Sequence, residues 1–154
     1  KLKDYLFVTI VISYCYKSNM KIEDHEKAYN EHKKNIDRLI EEGIERNQRN
    51  IAFNLSQGSV ELFSIFLHKL HKIQGSGDQI DHRIFKNRNL INKKLPFNFP
   101  DKSKILSLLK TIEEERNALC YGSRKSKERI EKTIFAFNEL RNIINKEIKD
   151  DRKK

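Results

Sequence analysis

Arg116 is the residue whose type does not fit its place. Ile105, Leu109, Ile112 and Leu119 recur at helical spacing, and Arg116 falls on the same stripe. A guanidinium is almost never fully buried without a partner. Three explanations follow. Arg116 sits in a buried ion pair, with Glu61 or Glu113 as partner; or it snorkels to the surface; or it lines a cleft or dimer groove that holds an anion. The third would use the fork of arginine donors, which matches phosphate oxygens. Asn117 follows directly, and Tyr121 lies just over one helical turn further on. The run Arg124-Lys125-Ser126-Lys127 would set more cations at the mouth of any groove. It also reads as a solvated helix start.

Other chemistries find less support. His68 and His71 are three apart and could face one metal, but no further ligand follows at a supporting spacing, so no metal is expected. His25, His32 and His82 are isolated in the sequence. No Gly-rich phosphate loop and no GxSxG elbow is present, and Gly75-Ser76-Gly77 is a loop. No cofactor is expected. Two cysteines, Cys15 and Cys120, make no disulfide framework and read as reduced thiols of a cytoplasmic protein.

The run Glu115-Arg116-Asn117-Ala118-Leu119-Cys120-Tyr121-Gly122 resembles the signature of the HEPN family, small helical-bundle domains of prokaryotes and higher eukaryotes. The family motif is an Arg, a polar residue, and a His after a short gap, near the end of the penultimate helix. The layout from Met20 to about Lys149 and the short helix around His82-Arg83-Ile84-Phe85-Lys86 are similar too. The resemblance implies a homodimer with the motif residues facing each other across a groove, and metal-independent RNA cleavage. Such chemistry needs a base, an acid and a cation beside the phosphorane. In this chain Tyr121 stands where the motif has His. A phenol with a pKa of about 10 is a poor base at neutral pH, although it can donate a hydrogen bond or stack on a base. Binding of RNA or a nucleotide is therefore favoured, with Arg124, Lys125 and Lys127 as contacts. The alternative is an endoribonuclease using Arg116, Asn117 and Tyr121; a third reading is a structural protein whose arginine is ion-paired. The resemblance also implies a nucleotidyltransferase or antitoxin partner, as one half of a toxin–antitoxin or defence pair.

The elements that must position these residues are helices. The chain has 154 residues, about one domain's worth. Only 5 Gly and 2 Pro are too few for the tight turns of a β sandwich or barrel. The net charge of +10 is uneven: residues 20–67 sum to −2, residues 68–110 to +7 and residues 116–154 to +6. A basic surface attracts polyanions, of which nucleic acid is the commonest.

Apolar spacing predicts an all-α, antiparallel up-and-down bundle of four main helices plus a short helix. The first runs from Ile22 to about Gln48, the second from Asn47 to Ile73. Ser56, Gly58 and Ser59 within the second suggest a close helix crossing. Asp78 or Asp81 caps a short helix through about Asn89, and Phe97 and Phe99 anchor the loop between Pro96 and Pro100. Asp101 or Ser103 caps the next helix, Gly122 stops it, and Ser126 caps the last. Residues 20–149 form the domain, followed by a charged tail at 150–154 that frays. Residues 1–19 carry an apolar run after Lys1 and Lys3, without a small-x-small cleavage site. That run, about twelve residues, is too short to span a bilayer, so no membrane association is expected. Met20 is read as the initiator, with residues 1–19 outside the core.

Overall fold

A computed structural model describes residues 20–74 and 80–151, and all regular structure among them is helical. Four long helices are present: α1 (Ile22–Glu41), α2 (Gln48–Lys69), α4 (Lys102–Cys120) and α5 (Lys127–Asp151). Between α2 and α4 lie a 3₁₀ turn (His82–Lys86) and the short α3 (Arg88–Lys94). None of the described helices is long and apolar enough to cross a membrane. The N-terminal segment 1–19, including Cys15, and the loop residues Gly75 to Gln79 lie outside the described residues, as do residues 152–154.

The first helix stops sooner than its spacing predicts. Gly43 adopts φ +120°, a conformation that side-chain-bearing residues rarely take, and the chain turns there. The Asn47 side-chain amide donates to the Leu39 carbonyl at 3.1 Å and ties the turn back. Helix α2 then passes through the centre. Ile51, Leu55, Phe63, Phe66 and Leu67 are fully buried, so it is apolar on nearly every side. Its buried hydroxyls stay satisfied: Ser59 donates to the Leu55 carbonyl and Ser64 to that of Val60. The close crossing lies at Gly58, where a Cβ would stand 3.3 Å from His32 Cβ of α1 and 3.6 Å from the Phe137 ring of α5.

Side-chain pairings give the helix directions. His25 meets Glu61 and His32 meets Asn54, in opposite order along α1 and α2. Gln48 reaches Leu119 and Ser56 reaches Glu113, again in opposite order along α2 and α4. Glu115 meets Arg129, and Lys104 meets Glu139, so α4 and α5 also run oppositely.

The single short helix expected through Asn89 is two elements. The Asp81 carboxylate accepts from the Arg83 N–H at 2.8 Å and starts the 3₁₀ turn. Asn87 is extended (φ −124°, ψ 106°), and its side chain re-caps the chain through the N–H groups of Asn89 and Leu90. Phe99 packs on Phe63 and Phe66, and Lys102 donates to the Leu95 and Phe97 carbonyls, which closes the Pro96–Pro100 loop. Asp101 precedes α4 but in a left-handed conformation (φ 53°), and its carboxylate makes no cap bond; Ser103 lies inside the helix. Gly122 ends α4 with φ +85°. The Ser126 carbonyl accepts the Arg129 N–H at 3.2 Å as α5 begins. That helix continues to Asp151, through the first residues of the expected charged tail.

Candidate functional site

Glu113 and Arg116 lie three apart on α4 and so share one helix face. The Glu113 carboxylate is 2% exposed. Its Oε2 accepts from the Ser56 hydroxyl at 2.8 Å. Its Oε1 meets His82 Nδ1 at 2.9 Å, Arg116 Nη1 at 3.6 Å and Lys86 Nζ at 3.7 Å. Arg116 therefore takes the first of the three explanations, with Glu113 as partner. Glu61 is engaged elsewhere, with His25 Nδ1 at 2.6 Å. One carboxylate faces two permanent cations and an imidazole, so the cluster keeps an excess of positive charge. Arg116 Nε is buried with no hydrogen-bond partner among the described residues.

Asn117 and Tyr121 do not join this cluster. Asn117 is exposed, and its carbonyl accepts the Tyr121 N–H at 3.2 Å. Tyr121 has left the helix for an extended conformation and is 65% exposed. No hydrogen bond links its phenol to Arg116. The imidazole near Arg116 is His82, which arrives from the 3₁₀ turn.

A second basic region forms where two turns meet. The buried Gln48 amide holds them together: Nε2 donates to the Leu119 carbonyl at 2.8 Å, and Oε1 accepts the Lys125 N–H at 2.7 Å. Arg49 donates to the Gly122 carbonyl at 3.2 Å, and Arg124 to the Glu45 carbonyl. The result is a cavity of about 260 Å³ lined by Arg46, Asn47, Gln48, Arg49, Asn50 and Arg124. Three guanidinium-bearing residues line it and no acidic residue does.

Of the basic run expected to act together, only Arg124 lines the cavity. Lys125 is half-buried, with Nζ near the Ser123 hydroxyl at 3.4 Å. Lys127 pairs with Glu131 on the exposed side of α5. Arg46 and Arg49 are added from 75 or more positions upstream, which no local motif announces.

The remaining reactive side chains are quiet. Burial pushes the Cys120 thiol above its ordinary value, against the opposing charge of Arg116, and its Sγ faces the Arg49 carbonyl at 3.5 Å. The His68 ring packs on His25 with centroids 5.3 Å apart. Burial holds His68 below its ordinary value, and His25 pushes the same way. His71 lies in a turn with φ 53°. No three His, Cys, Asp or Glu side chains among the described residues are grouped to hold a metal ion.

No family model, curated protein or solved structure matches this chain.

Proposed function

We propose that this chain is an RNA- or nucleotide-binding helical domain of HEPN type, which meets the polyanion at the joined turns around Arg46, Arg49 and Arg124. The observation that carries the reading is the cavity with three arginines and no acidic residue in its lining. Uncompensated guanidinium groups raise the local concentration of polyanions and pair with phosphate oxygens. On this reading the domain works as a dimer in the cytoplasm. It acts beside an antitoxin or nucleotidyltransferase partner, as the family resemblance implies.

The test is fluorescence anisotropy with a labelled 20-nucleotide single-stranded RNA carrying a 5′-hydroxyl, at several salt concentrations. Affinity should fall with salt, with a log–log slope of about −0.7 per phosphate engaged. The Arg124→Ala variant, with its helical circular dichroism intact, should bind about tenfold more weakly and with a slope reduced by about one phosphate contact. Salt-independent binding, or an Arg124→Ala variant that binds as the parent does, overturns the proposal.

A second reading, RNA cleavage, is favoured by one contact: His82 stands with Arg116 and Lys86 on the same Glu113 oxygen. It supplies the titratable imidazole that Tyr121 does not. Denaturing electrophoresis of the same RNA, with EDTA present, reads this outcome. Cleavage should vanish in His82→Ala, and cleavage that survives the change removes His82 from the chemistry.

A further inference from the structure

We propose that the cavity at the α1–α2 turn is a binding site for a phosphate monoester, the terminal phosphate of a mononucleotide or of an RNA 5′ end. The inference rests on the polyanion reading above and names the group recognised.

Three observations select this ligand. The first is the stock of unused donors. Arg46 makes no hydrogen bond or ion pair among the described residues, and Arg49 and Arg124 each donate one N–H to a carbonyl. A guanidinium has five N–H donors, so most remain available. The second is charge. Three like charges line one small space and repel one another. A phosphodiester brings a single negative charge, whereas a monoester brings between about one and a half and two at pH 7. The monoester therefore relieves the repulsion better, and its three terminal oxygens suit several forked donors at once. The first turn of α2, which also lines the cavity, adds to this: it holds no acidic residue and its cap residue Asn47 makes no side-chain cap bond. The third is size. The cavity, about 260 Å³, lies below the roughly 300–1,000 Å³ of sites for drug-sized ligands. A space of that size has room for a phosphate with its adjoining sugar.

The test compares two RNA oligomers of one sequence, 5′-phosphorylated and 5′-hydroxylated, by anisotropy, with adenosine 5′-monophosphate and adenosine measured by calorimetry. The phosphorylated RNA should bind about tenfold more tightly than its hydroxyl twin, and the monophosphate should bind where adenosine does not. In the Arg46→Ala variant, an exposed position with no partner to strand, the ratio between the two RNAs should collapse to about one. Arg46→Lys, which keeps the charge and loses the fork, should restore only part of it. A monophosphate that binds as tightly as the phosphorylated RNA identifies a mononucleotide as the source and still supports the site. If both oligomers bind equally well to the parent protein, the monoester site is wrong while RNA binding stands. If neither RNA nor the monophosphate binds, both readings fail.

Discussion

A carboxylate that is 2% exposed must have its charge answered, and Glu113 is answered four times, by Ser56, His82, Lys86 and Arg116. The partners are not equal. Ser56 and His82 are within 3 Å, while Lys86 and Arg116 stand beyond 3.5 Å. Removing Arg116 leaves the carboxylate two hydrogen bonds and one cation. Removing Glu113 strands every partner at once. Urea denaturation at pH 7 should therefore show Glu113→Ala destabilised by about 3–5 kcal/mol, and Arg116→Ala by only about 1–2 kcal/mol. The reverse order would mean that Arg116 is the principal counter-charge. Arg116 was legible in the sequence because a charge interrupted an apolar period. Its partner was legible only as a choice between Glu61 and Glu113, which the fold decides by engaging Glu61 with His25. His82 was not, because its contact with Glu113 spans 31 positions and depends on where the 3₁₀ turn lands. Arg46 and Arg49 were hidden by averaging: residues 20–67 sum to −2, so the stretch reads as acidic although these two cations line one cavity.

Helix α2 can sit at the centre only if its neighbours approach closely, and Gly58 marks where they do. The atom that a new Cβ would meet, His32 Cβ at 3.3 Å, is fixed to the α1 backbone and cannot swing away as a side-chain tip could. Alanine gains about 1 kcal/mol of helix propensity over glycine, which offsets this one tight contact. Valine adds two methyl groups against His32 and the Phe137 ring. Gly58→Val should thus lose about 1–3 kcal/mol to overpacking, while Gly58→Ala stays close to the parent, as read from urea midpoints. A Gly58→Val protein as stable as the parent would refute the close crossing. The four long helices were legible from the 3.6-residue period, because each buries one stripe or, for α2, nearly its whole surface. Their ends were less so. The first helix ends at Glu41 because Gly43 takes a positive φ, and the short helix divides because Asn87 is extended and caps again. Both are backbone choices that a hydrophobic period does not record.

The whole molecule carries +10 with its histidines neutral, so every proton taken up on acidification adds to self-repulsion. Where that proton goes decides how stability changes with pH. His68 is held below its ordinary 6.5, first by burial and then by His25. An unfolded chain protonates this residue near 6.5, whereas the folded chain resists until lower pH. Its contribution to stability is therefore whole above about pH 6.5 and is lost as pH falls from there through the lowered folded value. Asp81 acts in a separate window. The Arg83 side-chain hydrogen bond lowers its carboxyl from 3.8 to about 2, so its contribution is whole above 3.8 and is lost between there and about 2. Urea midpoints between pH 8 and 5 should accordingly fall below about 6.5 in the parent protein and fall less steeply in His68→Gln, which has nothing to protonate at that site. The two curves should be parallel above pH 7. If they stay parallel down to pH 5, the loss belongs to other groups and the packing of His68 against His25 does not resist its charge.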